Sequence, residues 1–460
     1  MMDIPPEEME ICLRVLQRIA DYPASIRGQD RLKGLIAKIY KEGTRHNQRA
    51  EKQQQQNADR ALQATTGMVQ IQRDALSAAA LPPPSQPTGR TLNQPEACYI
   101  CKAEYTEVHF FYHLLCPACA DFNYRMRHLR ADLTGRTALV TGGRVKIGYQ
   151  TVLRLLRDGA KVLVTTRFPY AAARRFHAEA DSDAWKDRLH LYGLDLRNIP
   201  AVEGFAQHLL RTEPALDIVI HNAAQTIRRP PGFYRELLAQ EQCPPDALAE
   251  GARRLIRQEA PAPFTLTESS LLLPAVLPAV ADVLPTDALE DNEERADSRT
   301  ANSWLLRLDE VGAPEMLEVQ LVNAIAPFLL NSRLKPLLLR SLFDRRFIVN
   351  VSAMEGQFRR HKTVFHPHTN MAKAALNMMT RTSGEDYARD GIYMTSVDTG
   401  WVTDENPTPK RTRRQDDGFF PPLDIIDGMA RIYHPIAQGI NDEATPFYGL
   451  FLKDYSPCPW

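Results

Sequence analysis

Four cysteines fall into two pairs, Cys98-Tyr99-Ile100-Cys101 and Cys116-Pro117-Ala118-Cys119, with 14 residues between them. Each Cys-x-x-Cys turn can present two thiolates to one metal. Two such turns complete a tetrahedral shell with no open position. The spacing is close to the four-cysteine zinc pattern, and a closed sulfur shell implies a structural ion. His109 and His113 lie between the pairs as competing ligand types, though packing or solvation accounts for them equally simply. A second chemistry belongs to Thr141-Gly142-Gly143-Arg144-Val145-Lys146-Ile147-Gly148. Glycines between a buried strand and a helix let backbone N–H groups approach a pyrophosphate at the helix N-terminus.

Those residues need a scaffold, and the chain from Arg136 onward supplies an alternation of short apolar runs and amphipathic segments. The runs are 138–143, 161–167, 189–196, 216–224, 346–353 and 392–400, with 447–455 as a last strand. Short β-branched runs separated by helices argue for a parallel sheet covered on both faces. The fold class expected is α/β, a doubly wound parallel sheet with an inserted segment, preceded by a small zinc module and a helical arm. The boundaries expected are a polar helical arm over 1–80, a Pro-rich linker over 81–94, the zinc module over 95–130 and the sheet domain over 131–460. Proline and acidic residues crowd the stretch from about 229 to 303, which reads as the insertion, with an apolar lid or partner surface at 261–280. Placed between the fourth strand and the next helix, it should lie near the carboxyl ends of the strands.

The ordered set of motifs resembles the short-chain dehydrogenase/reductase family over roughly 131–228 and 304–460. The family turn is Thr-Gly-x-x-x-Gly-x-Gly; here Thr141, Gly142 and Gly148 match and Lys146 replaces the middle glycine, with Ile147 beside it. Asp195, followed by Leu196, matches the aspartate that contacts the adenine. Asn222 and Ala223, in His221-Asn222-Ala223-Ala224, match the Asn-Asn-Ala-Gly segment with two changes. Asn323 matches the helix asparagine, Ser352 the catalytic serine and Lys373 the catalytic lysine, which also holds the nicotinamide ribose. Asp398-Thr399-Gly400-Trp401 stands where the family usually has Pro-Gly. The resemblance implies a nicotinamide dinucleotide, a small carbonyl or alcohol substrate, and pairing into dimers or tetramers through the helices carrying Asn323 and Lys373.

The second strand ends Thr165-Thr166-Arg167, where an acidic residue would select NAD(H). A guanidinium there suits a ribose 2′-phosphate, and Arg144 and Lys146 add positive charge, so NADP(H) is expected over NAD(H). The resemblance fails at the proton donor. The family tyrosine four residues before the lysine is Thr369 here, and an alkyl hydroxyl is too weak an acid to replace a phenol. His366 and His368 precede Lys373, and an imidazole titrates near neutrality. Two readings follow. One is an NADP(H)-dependent oxidoreductase with an altered proton donor; the other is an NADP(H)-binding sensor or scaffold without turnover.

Composition excludes several other classes. The 460 residues carry 56 Lys+Arg and 56 Asp+Glu, so no whole-protein field grips nucleic acid or an anionic membrane. A basic helix with Tyr124, Arg125, Arg127, His128 and Arg130 is weak evidence for nucleic acid, since a solvated connecting helix explains it. The most apolar stretch, 271–284, is too short to span a bilayer and holds two prolines and an aspartate. The N-terminal MMDIPPEEME lacks the pattern of a secretory signal. Seven cysteines do not make a disulfide scaffold, and a cytoplasmic location is expected. The N-terminal arm and the insertion are the segments expected to meet a protein partner.

Overall fold

Charged and glutamine-rich residues dominate the first helices, so these helices find little to pack on. The computed structural model describes residues 4–74, 89–229, 231–244, 247–257, 299–359 and 361–460. Helix α1 (Pro6–Asp21) buries no side chain, and α2 (Asp30–Gln63) buries Asp59 alone. That carboxylate accepts the backbone N–H groups of Asn93 at 2.7 Å and Gln94 at 3.2 Å, which ties the end of α2 to the next module. Helix α3 (Gly67–Asp74) begins against the loop before the second cysteine pair, with Met68 N–H on Phe111 O at 2.8 Å.

Strand β1 (Thr91–Ala97) pairs antiparallel with β2 (Glu104–Glu107), and α4 (Pro117–Arg127) starts within the second cysteine pair, with Cys116 as its N-cap and Cys119 in its first turn. Pro117 opens α4 at its first position, where a missing N–H costs nothing. Leu62, Met68, Leu92, Tyr105, Phe111, Tyr112 and Leu115 share one apolar cluster. Two expected boundaries therefore move. Most of the expected linker lies outside the described residues, but from Thr91 it is a paired strand. The end of the expected arm is part of the module's core.

The main sheet follows the expected rhythm. In chain order come β3 (Thr137–Thr141), α5 (Lys146–Arg157), β4 (Lys161–Thr166), α6 (Pro169–His177), β5 (Leu189–Gly193), α7 (Ile199–Thr212) and β6 (Ile218–His221). After the insertion, with its short helices α8 (Arg235–Glu241) and α9 (Glu250–Arg253), come α10 (Ala313–Gln320), a π-turn over Leu321–Ile325 and α11 (Ala326–Leu339). Then follow β7 (Arg346–Ser352), α12 (Pro367–Arg389), β8 (Ile392–Asp398), α13 (Thr408–Asp416), α14 (Ile425–Asn441), β9 (Leu450–Lys453) and β10 (Ser456–Cys458). The sheet order is β10-β9-β8-β7-β6-β3-β4-β5, parallel except for β10. Alternate residues face opposite layers. Val140, Val164 and Ile220 pack with α5, α6 and α14, whereas Leu139, Leu163 and Val219 pack with α7 and α11.

The strand order reverses between β3 and β6, and that switch point opens a crevice at the carboxyl ends. The described start of the insertion lies near those ends, where Arg229 and Tyr234 line the crevice, and then leaves them. It runs along α6 and the β5 edge, where Leu191 N–H bonds Leu255 O at 2.8 Å and Arg257 N–H bonds Leu191 O at 3.0 Å. The expected apolar lid at 261–280 lies outside the described residues. No helix among the described residues is long and apolar enough to cross a membrane.

Candidate functional site

A cavity of about 710 Å3 runs along the carboxyl ends of the strands, from the turn after β3 to the loops after β7 and β8. Gly148 lies in that turn, at the start of α5. A Cβ there would fall 2.2 Å from Gly142 O and 2.3 Å from Asn222 Nδ2, so only glycine fits. Lys146, at the family's middle glycine, has φ +53°. A lysine thus takes the left-handed backbone that glycine adopts freely, at a cost of roughly 1–2 kcal/mol. Asn222 Nδ2 donates to Gly142 O at 2.9 Å, and Ala223 N–H donates to Thr141 Oγ1 at 3.1 Å. These bonds lock the segment after β6 against the glycine turn. Thr141 is behind the cavity wall; Gly142, Arg144, Lys146, Ile147, Gly148, Asn222 and Ala223 line it.

Toward β4 and β5 the wall is cationic and aromatic. Arg167 lies 5.2 Å from the ring centre of Phe168 and 4.6 Å from that of Tyr234, and Arg144 lies 5.4 Å from Phe168. Tyr234 comes from the insertion, so the insertion closes this end. Its Glu241 accepts the N–H groups of Tyr170 and Ala171, at 2.9 and 3.0 Å, at the start of α6. Asp195 and Leu196 line the same end. Burial alone would raise the Asp195 carboxyl, but Arg197, bonded to it through Nη2 at 2.6 Å, and the nearby Arg167 hold it below its ordinary value.

Toward β7 and β8 the wall carries Ser352, Thr369 and Lys373. Ser352 ends β7, and the other two lie on α12. The hydroxyl oxygens of Ser352 and Thr369 are buried and have no hydrogen-bond partner among the described residues. Lys373 Nζ donates to Val351 O at 2.8 Å. Burial brings this ammonium down to about 8, with Glu355 and Asp398 opposing the shift.

The expected histidines do not join this group. Neither His366 nor His368 lines the cavity. The His366 ring stacks on Trp304 at 3.9 Å, with Nδ1 bonded to Trp304 O at 2.9 Å. His368 is buried against Glu315, with Nε2 3.6 Å from Oε1. Pro367 opens α12, and His366 just before it takes a left-handed backbone with φ +43°. Asn323 is also outside the lining. From the π-turn it clamps Gln225 on both sides, accepting its N–H at 2.7 Å and donating to its carbonyl at 3.1 Å. It positions Gln225, which lines the cavity, and does not line the cavity itself.

Several wall-building residues escape a motif search. Glu318, buried, accepts from Gln225 Nε2 at 2.8 Å and meets Arg197 and Arg228 at 3.4 and 3.3 Å. Two glutamates three residues apart, Glu315 and Glu318, on the helix that leads to Asn323 are the one signal that could have found it. Tyr99, from the first cysteine turn, also lines the cavity.

The four cysteine sulfurs all lie within 4.8 Å of one another, and Cys101 and Cys116 are 3.7 Å apart. That spacing fits a tetrahedral ion with sulfur bonds near 2.3 Å. Burial alone would raise the Cys98 thiol, yet backbone N–H groups of Cys116, Cys101 and Ile100 bring it down to about 7. Burial and the neighbouring sulfurs push Cys119 up, a conflict that a divalent cation would remove. The two histidines are not part of the cluster. His109 Nδ1 accepts the N–H of Phe111 at 3.1 Å, and His113 Nε2 meets Phe420 O at 3.2 Å.

The family model for short chain dehydrogenases matches residues 136–240. An uncharacterized protein of Acanthamoeba polyphaga mimivirus is 33% identical over 357 residues, 74% of this chain and 71% of that one. Dehydrogenase/reductase SDR family member 13 of Bos taurus is 40% identical over 94 residues, 20% of this chain and 24% of that one. A probable oxidoreductase of Streptomyces lividans is 33% identical over 142 residues, 30% of this chain and 46% of that one. The chain thus spans less than half the length of the latter two. Among solved structures, a short chain dehydrogenase from Shigella flexneri aligns with a TM-score of 0.45 at 16% identity, over 71% of this chain and 95% of that one. Over the matched residues 136–240, which carry the glycine turn and the strands on either side of the sheet's reversal, the chain belongs to the short-chain dehydrogenase/reductase family.

Proposed function

We propose that the protein is an NADP(H)-dependent oxidoreductase acting on a carbonyl or alcohol, with a structural zinc in its four-cysteine module. The observation that carries this reading is the pair of buried hydroxyls, Ser352 and Thr369, which have no partner among the described residues and lie on the same cavity wall as Lys373. A buried hydroxyl without a partner costs about 1–3 kcal/mol unless a ligand or water meets it. Arg167 and Arg144 at the other end support a ribose 2′-phosphate, and Asp195 supports the adenine. NADP(H), when bound, supplies or accepts a hydride. Ser352 donates a hydrogen bond to the substrate oxygen, and the Lys373 ammonium stabilises negative charge developing on it. In reduction that oxygen must gain a proton. Lys373, held near 8 by burial, is the group on this wall suited to release it, in place of a tyrosine or histidine. Thr369 offers a hydrogen bond and no usable acidity.

A second reading, a non-catalytic NADP(H) sensor or scaffold, draws support from Thr369 at the tyrosine position and from the exposed apolar residues Ile11, Leu13, Val15 and Leu16 of α1, which suit a protein contact. Turnover decides between them. Purified protein incubated with NADPH and a panel of aldehydes, ketones and quinones should oxidise the cofactor with at least one. Tight NADPH binding with no turnover across the panel, and none on adding Thr369→Tyr, supports the sensor.

A further inference from the structure

The first cysteine turn reaches the cavity. Tyr99 sits between Cys98 and Cys101 and lines the cavity, its ring packed against the module core and its hydroxyl against the backbone of Trp401, another lining residue. Tyr99 Oη accepts the backbone N–H of Trp401 at 3.0 Å. Trp401 follows Gly400, whose φ is +78° and where a Cβ would lie 2.5 Å from Leu423 Cδ1, so this turn is held on both sides. Asp398, just before it, pairs in register with Ser352 and accepts from Lys453 Nζ at 3.1 Å. The Lys453 ammonium lies 5.8 Å from the centre of the Tyr99 ring.

The sheet order fixes which part of a dinucleotide meets this corner. The glycine turn follows β3 at the centre, Arg167 and Asp195 belong to the β4–β5 half, and β6, β7 and β8 form the other half. With its pyrophosphate at the turn and its adenine toward Arg167, the ligand directs its nicotinamide half toward β7 and β8. The Trp401 N–H uses one lone pair of the Tyr99 hydroxyl, and among the described residues its O–H has no protein acceptor. That hydrogen is available to a ligand.

We propose that Tyr99 is a binding residue for the nicotinamide half of the cofactor. From a turn stapled by the metal it holds the Gly400–Trp401 turn and donates a hydrogen bond to the bound ligand. The four-cysteine site and the dinucleotide cavity then form one binding unit, and the module is a wall of the site. This rests on the NADP(H) and zinc readings above.

The test uses the full-length, zinc-loaded protein and its Tyr99→Phe variant, which loses only the hydroxyl. Each is titrated calorimetrically with NADPH and with 2′-phospho-ADP-ribose, which lacks the nicotinamide. Zinc content and thermal midpoint are measured alongside. The expected result is NADPH affinity weakened about 3- to 10-fold, as for loss of one hydrogen bond, with affinity for the fragment unchanged. Equal affinities of the two proteins for NADPH overturn the proposal. So does an equal loss for both ligands, with or without loss of metal, which makes Tyr99 part of the scaffold only. If the unaltered protein binds no NADPH, the cofactor reading fails and this inference with it; the Tyr99→Phe outcomes bear on the inference alone.

Discussion

Arg127 and Asp424 meet through two hydrogen bonds of 2.6 and 2.9 Å, with both side chains buried. Arg127 ends α4, the helix that starts within the second cysteine pair, and Asp424 caps α14 of the sheet domain. Arg127 also meets Asp427 at 3.1 Å, and Tyr112 donates to Asp427 at 2.5 Å. The module is thereby docked through a buried, charged joint.

Removing the cation from that joint strands two buried carboxylates. Arg127→Met should lower unfolding stability by about 3–5 kcal/mol, measured by urea titration. Burial pushes Asp424 up, but Arg127 holds it below its ordinary 3.8. This contribution to stability is therefore present above the ordinary carboxylate range and lost as pH falls through the lower folded value. Arg127→Met should flatten that acid limb.

Cofactor preference should follow the guanidinium at the end of β4. NADPH is expected to bind more tightly than NADH, and Arg167→Asp should weaken NADPH by roughly 10- to 100-fold, the worth of a charge-assisted hydrogen bond. Calorimetric titration checks both, and equal affinities in the unaltered protein refute the assignment.

The glycine turn has no room for a methyl group. Gly148→Ala should drive a Cβ against Gly142 O and Asn222, shifting the turn that must approach a pyrophosphate. The expected cost is about 1–3 kcal/mol of stability, with loss of detectable NADPH binding by fluorescence.

Zinc should be present at one ion per chain by elemental analysis. Cys98→Ser should remove it and loosen the module while the parallel sheet remains folded by circular dichroism. Val402 and Leu423 of the sheet domain share the module's apolar cluster, so NADPH affinity should fall as well. A stoichiometry near zero with four freely reacting thiols refutes the site.

The pH profile tests the proton donor. With Lys373 near 8, its ammonium predominates below that pH and disappears above it. Carbonyl reduction should be level at lower pH and fall as pH rises through about 8. Lys373→Met should abolish this limb and lower kcat by roughly 100- to 10,000-fold. A profile that instead falls near pH 6.5 implicates an imidazole.

Short-range patterns reached the fold and most of one wall. The β3, β4 and β6 runs each hold three consecutive apolar residues, 138–140, 162–164 and 218–220, because a parallel sheet buries both faces, and that requirement is legible without neighbours. The glycine turn and the paired cysteines are legible because backbone approach and metal geometry impose fixed spacing on a few adjacent residues. Side-chain direction is a different matter. His366 and His368 have the right type and position along the chain, yet the entry into α12 aims one at Trp304 and the other at Glu315. Joints between distant segments are likewise decided by packing alone. Arg127 and Asp424 are 297 residues apart, and Tyr99 and Trp401 are 302 apart. No periodicity links such pairs, because each forms only once two separately specified surfaces have met. The sequence by itself determined a dinucleotide fold beside a four-cysteine module; only the tertiary structure made that module's tyrosine a wall of the cavity.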